Sequence, residues 1–122
     1  MAAAAPLVSR IDNIHLYVRH MATSLVFYRD VLGIPLTGDE LWAEADLGGV
    51  RFALHPLSPS VDEISSGSVA INFEVADADD AARQVRDAGF EARETMREEY
   101  GVSYEVVDPD GYRIYLFQPP AR

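Results

Sequence analysis

The sequence predicts an α+β fold made of two tandem β-α-β-β-β modules, and three observations carry that prediction. GVRFAL at 49–54 and GYRIYL at 111–116 share Gly, Arg, an apolar residue and Leu in the same order. IDNIHLYV at 11–18 and SVAINFEV at 68–75 both alternate and end in Val, and each precedes a helical stretch carrying Arg-Asp and then Gly, FYRDVLG and QVRDAGF. Finally, 122 residues at 48% apolar are enough to bury one core, so the repeats read as halves of a single domain over 1–122.

Taken in order, the first strand at 11–18 sets Ile14, Leu16 and Val18 on one face and Asn13, His15 and Tyr17 on the other. A helix follows, capped by Thr23 or Ser24, with Ser24, Phe27, Tyr28 and Val31 as its inward stripe and Gly33 at its end. His20, just before it, reads as surface. LWAEADL at 41–47 and VRFALHP at 50–56 alternate as strands about an LGG turn and complete module one, about 8–57. PLSPSVDEISSG, about 56–67, is the predicted linker, well placed to act as a lid. Module two, about 68–119, repeats the order. Its helix is capped by Asp77 or Asp79, carries the stripe Ala78, Ala81, Ala82 and Val85, and stops at Gly89. VSYEVVD at 102–108 and YRIYLFQ at 112–118 then flank a DPDG turn. Each helix covers one face of a curved mixed sheet, which leaves the other face of each sheet as a concave ligand cavity, closed in a homodimer.

The residues on that open face are the candidate ligand contacts. Module one offers Asn13, His15 and Tyr17, then Arg51 and His55 on either side of Ala53. Module two offers Asn72 and Glu74 after Ala70, then Arg113, Tyr115 and Phe117. Trp42 shares a face of its strand with Glu44 and Asp46, and Tyr104 shares one with Val106. Alternation does not decide which face of those two strands is open, and both aromatics are counted with the site. So many aromatics would be costly to leave in water, and a concave sheet lined by rings and a few polar groups is the usual anatomy of a small-molecule pocket.

Composition narrows the partners. Twenty acidic against ten basic residues give a net charge of −10, which repels nucleic acid and anionic membrane and attracts cations. No apolar run is long enough to span a bilayer, and MAAAAP lacks the features of a secretory signal, so a cytoplasmic location is expected. Without cysteine there is no disulfide, thiolate zinc site or thiol nucleophile. The chain has no G-x-S-x-G elbow, no phosphate-binding glycine loop and no His pair at helical spacing, so no catalytic set is assigned.

HLYVRHMATSLVFYRDVLGIPL, VAINFEVADADDAARQVRDAGFE and VVDPDGYRIYLFQP resemble the vicinal oxygen chelate superfamily, which includes glyoxalase I, extradiol dioxygenases and the fosfomycin and bleomycin resistance proteins. The likeness spans 11–119 and implies the same fold, commonly as a symmetric homodimer. Enzymes of that family hold a metal with one side chain from each of four inner strands, and those positions fall here at Asn13, Ala53, Ala70 and Tyr115. Two methyl groups cannot donate to a metal. The resemblance therefore implies no metal and no cofactor, and points to the metal-free members that sequester antibiotics between two chains. The expected function is binding of an aromatic antibiotic or natural product for self-resistance without chemistry; the net charge and Glu74 would favour a cationic guest, while Arg51 and Arg113 oppose Glu74 and leave the sign of its charge open. The alternative is a metal-dependent lyase, isomerase or dioxygenase using a displaced site at His15, His55 and Glu74.

Overall fold

The structure, a computed structural model, describes residues 10–57, 64 and 70–121. Module one comprises β1 (Asn13–Val18), α1 (Met21–Leu25) running into a π-helical segment (Val26–Val31), β2 (Thr37–Gly38), β3 (Ala43–Leu47) and β4 (Val50–Pro56). Module two comprises β5 (Asn72–Glu74), α2 (Ala78–Asp87), β6 (Ala92–Glu98), β7 (Gly101–Val107) and β8 (Arg113–Gln118). The sheets have the orders β1-β4-β3-β2 and β5-β8-β7-β6. In each, the first and last strands of the module pair in parallel and the other pairs are antiparallel. The duplication seen in the sequence is thus a duplication of topology. Most of the predicted linker and lid, including 58–63, lies outside the described residues.

Local chemistry explains most elements, and tertiary contacts explain the departures. α2 begins where predicted, because the Asp77 carboxylate accepts the N–H of Asp80 at 3.0 Å. α1 begins earlier than Thr23 or Ser24. His20 holds its N-cap position without a side-chain cap, and Asp110, from the DPDG turn of the other module, accepts the N–H of Arg19 at 3.2 Å. The helix then widens, with Leu32 N–H donating to Phe27 O and Ile34 N–H to Tyr28 O at 3.0 Å each. That arrangement keeps Ser24, Phe27 and Tyr28 fully buried together, as the stripe predicted. β5 is three residues long, shorter than the predicted 68–75, of which 68 and 69 are not described.

Two strands have no clear sequence signal. β2 is only a two-residue pairing against β3. β6, ARETMRE, is mostly exposed and hides its pattern in a bulge: Ala92 pairs with Val106 and Glu94 with Tyr104, but Met96 pairs with Ser103. One extra residue, Thr95, therefore moves Met96 to the face opposite Ala92.

The helix-side faces of the two sheets share one core. Tyr28 meets Phe52 at 5.5 Å between ring centroids, Phe52 meets Phe73 edge-on at 5.2 Å, and Phe27 meets Phe90 at 4.8 Å. The DPDG turn latches the modules together. Buried Asp108 accepts the Tyr28 hydroxyl at 2.7 Å and the N–H groups of Asp110 and Tyr112 at 2.8 Å each, while the Tyr112 hydroxyl donates to Tyr17 O at 2.9 Å. Burial holds the Asp108 carboxyl above the ordinary range, against the pull of those hydrogen bonds, and burial beside Asp108 pushes the Tyr28 phenol far up. Because the sheets meet through their helix sides, their open faces look away from each other.

Candidate ligand-binding site

On the open face of the first sheet, four of the predicted residues come together. Parallel pairing of β1 with β4 matches His15 with Ala53 and Tyr17 with His55, so the two histidines are diagonal neighbours across the Ala53 methyl. Their rings lie 5.9 Å apart; Tyr17 is 5.1 Å from His15 and 5.3 Å from His55. The structure resolves the ambiguity at Trp42 in favour of this face, with its ring 5.4 Å from His15 and 6.0 Å from His55. All four rings are half-buried.

Polar contacts brace the cluster from its edges. His15 Nδ1 is 2.8 Å from Asn13 Oδ1, and Asn13 Nδ2 donates to Asp12 at 2.9 Å. That hydrogen bond, with Arg51 and Arg10 nearby, holds the Asp12 carboxyl below its ordinary range. Glu44 accepts the Trp42 indole N–H at 3.1 Å and pairs with Arg51 at 2.7 Å. Glu44 braces the ring cluster and is absent from the sequence-based set, although its parity with Trp42 was the available signal.

The second sheet collects the other set. Asn72 is registered with Tyr115 and Glu74 with Phe117, and Arg113 lies at the near end of the same strand face. Ala70, Asn72, Tyr115 and Phe117 border a shallow cleft of ≈ 380 Å³ together with Thr95, Met96 and Ser103, the last three absent from the sequence-based set. The unrecognised β6 bulge concealed Thr95 and Met96. Ser103 alternates with Tyr104 and so takes the open side.

Tyr104 does not belong to the site. It is registered with Leu116 on the helix side of the sheet, buried against Ala78 and Ala82 under α2. Its hydroxyl donates to Asp79 at 2.5 Å, and the Arg86 guanidinium lies over its ring at 5.6 Å. The two small alanines of α2 make the space that the ring fills, which is why an aromatic here is core. The hydrogen bond from Tyr104, with help from Arg97, holds the Asp79 carboxyl below its ordinary range.

The displaced metal trio is not assembled within the chain either. His15 and His55 are neighbours, but Glu74 sits on the other sheet. Among the described residues no three His, Asp or Glu side chains are grouped to hold a metal. The four positions carried over from the resemblance also divide, Asn13 and Ala53 on the first open face and Ala70 and Tyr115 on the second. A larger groove of ≈ 670 Å³ runs between the modules, bordered by Leu32, Ile34, Leu47, Phe73 and Val85, with Asn72 and Glu74 at its rim. Its walls are mostly aliphatic, with Asn72, Glu74 and Gln84 as the polar side chains along it.

The profile of the Glyoxalase/Bleomycin resistance protein/Dioxygenase superfamily matches residues 10–116. The chain belongs to that superfamily. A search of curated proteins returns no match. Among solved structures, this superfamily member resembles TnmS3, an antibiotic binding protein from Streptomyces sp. CB03234, at 20% identity and a TM-score of 0.73, covering 94% of this chain and 99% of that one. It also resembles lactoylglutathione lyase from Agrobacterium tumefaciens (16% identity, TM-score 0.70, 91% and 94% covered). A virulence protein from Salmonella typhimurium aligns at 24% identity with a TM-score of 0.70, covering 93% and 99%. At these identities the likeness establishes the fold, which hosts both binding and catalysis. None of the helices among the described residues is long and apolar enough to cross a membrane.

Proposed function

We propose that the chain is a small-molecule binding protein that captures a planar aromatic compound, of the antibiotic or natural-product kind, and holds it without chemistry. The observation that carries this reading is the gathering of His15, Tyr17, Trp42 and His55 on one open face, at 5.1 to 6.0 Å between the ring pairs that touch. Rings at such distances present edges and faces to a flat guest, each aromatic pair contributing roughly 0.5–1.5 kcal/mol beyond burial. The antibiotic-binding protein TnmS3 shares the fold, which makes the reading reasonable for this scaffold.

A half-open face needs a cover. Within the chain the two faces point away from each other, while β1 and β5 are edge strands, each paired on one side only. A second copy can lay its second-sheet face, with Tyr115 and Phe117, over the first-sheet face of its partner, giving a twofold homodimer with two equivalent sites. Asn72, Glu74 and Arg113 would then meet the guest from the partner's side.

The test combines elemental analysis of the purified protein with titration of Trp42 fluorescence, the protein's one tryptophan, by flat aromatic antibiotics such as mitomycin, anthracycline and bleomycin types. Saturable quenching at micromolar or lower ligand, in protein free of transition metal, supports capture. Stoichiometric metal whose loss follows His15→Ala would replace this reading with the metal-dependent lyase, isomerase or dioxygenase.

A further inference from the structure

The groove between the modules has a chemistry of its own, and none of the four clustered rings of the first sheet borders it. At ≈ 670 Å³ it has the volume of a small-molecule pocket, walled by Leu32, Ile34, Leu47, Phe73, Val85 and Leu116. Its polar groups are of one kind. No Lys, Arg or His borders it among the described residues, and Glu74, exposed at its rim, is the one charged side chain along it. No ion pair among the described residues reaches that carboxylate. Gln84, on the α2 side, is oriented by its neighbour. Hydrogen bonds from Arg83 and Gln84 hold the Asp80 carboxyl below its ordinary range, so it is ionised and only accepts. Gln84 therefore turns its Nε2 to Asp80 at 2.8 Å, which leaves its amide oxygen for another partner.

We infer that this groove binds an amphipathic organic cation, an aliphatic body carrying a primary ammonium group, with the body against the aliphatic walls and the head at Glu74 and Gln84. An ammonium has three donors and no acceptor, which matches a rim that offers a carboxylate and an amide oxygen. An anionic amphiphile would set its own carboxylate against Glu74, and a neutral one would leave the charge unused. The net charge of −10 draws a cation to the same place. Because Glu74 is exposed, the head stays partly in water, so the charge sets selectivity while the aliphatic walls supply most of the affinity. β5, whose residues 72–74 line the groove, is an edge strand, which makes a second copy of the chain the competing occupant.

The experiment titrates the intact protein by calorimetry with three probes that share one rigid aliphatic cage and differ in the head: 1-aminoadamantane, 1-adamantanol and adamantane-1-carboxylate. The amine should bind about five- to tenfold more tightly than the alcohol, and the carboxylate most weakly. Glu74→Gln, which keeps the shape and removes the charge, should cut the advantage of the amine over the alcohol to within about twofold. Ala81→Leu, which suits the helix and fills the groove from α2, should abolish binding of all three. Trp42 fluorescence should stay unchanged as the amine is added, since the ring cluster is not the site. Equal binding of the three probes, or an amine advantage that survives Glu74→Gln, would overturn the cation assignment. Amine binding that quenches Trp42 and survives Ala81→Leu would move the site to the ring cluster and overturn the inference. Binding of none would overturn it as well, and a dimer that sedimentation shows to dissociate in Ala81→Leu would then give the groove to a second copy.

Discussion

At the scale of single residues, Asp108 has the largest structural role for its size. It accepts three hydrogen bonds, a buried one from the Tyr28 hydroxyl and two part-buried ones from backbone N–H groups of its own turn. Asp108→Ala should destabilise the fold by about 2–4 kcal/mol in urea unfolding, since three donors lose their acceptor. Asp108→Asn should be close to neutral, because the amide oxygen can take both N–H groups and the amide nitrogen can donate to Tyr28. The two carboxyl oxygens also set a pH dependence with a definite sign. Burial raises the folded-state pKa, so the folded protein holds the proton more tightly than the unfolded chain. Its contribution is fully present below the unfolded value of about 4 and is lost as pH rises through the higher folded value. The melting temperature of Asp108→Asn relative to the parent should therefore climb as the pH rises above about 4, whereas a flat or falling difference would contradict the assignment.

At the scale of elements, what could be read in advance depended on whether the cause was local. The α2 cap, both helix stripes and the alternation of β8 are written in neighbouring residues and appear as expected, whereas Ile14, on the predicted dry face of β1, is exposed. Asp77→Ala should accordingly cost about 1 kcal/mol of stability, measured by denaturant unfolding. The start of α1 is set by Asp110 across the molecule, and the face of Met96 is set by a bulge, so neither had a local signature. Tyr104 was misassigned for a related reason. Alternation pairs it with Val106 but does not say which side α2 will cover, and only the small Ala78 and Ala82 reveal that the ring goes under the helix. Gly101 is another element-level constraint. Its φ is +145°, and an added Cβ would lie 2.5 Å from Phe117 Cε1 and 2.8 Å from Gln118 O. Gly101→Ala should push Phe117 from its place on the second open face, costing about 1–3 kcal/mol and weakening any ligand that face touches. Thermal melts and calorimetric titration of that variant check both effects.

At the scale of the whole molecule, the fold was legible because a duplicated pattern survives in both halves, while the completeness of the site was not. The sequence placed aromatic and polar residues on two open faces without saying how those faces would be oriented. Phe27, Phe52, Phe73 and Phe90 decide it, since they join the helix sides of both modules into one core and turn the faces outward. The net charge of −10 does not forbid self-association, because the faces themselves carry few unpaired charges near the rings. Phe52→Ala, at the junction of the two modules, should cost about 3–5 kcal/mol and loosen both faces at once, read as loss of cooperative unfolding.

The central claim is that each ligand site is completed by a second copy, and subunit mixing tests it most directly. One variant carries His15→Ala and His55→Ala, which disables the first-sheet face; the other carries Tyr115→Ala and Phe117→Ala, which disables the second. Each folded variant alone should bind no aromatic ligand. Co-expressed, half of randomly formed dimers are mixed and each mixed dimer regains one intact site, so calorimetry should recover about a quarter of the parental binding capacity. Full binding by either variant alone, or no recovery in a mixture that contains mixed dimers, would contradict the account.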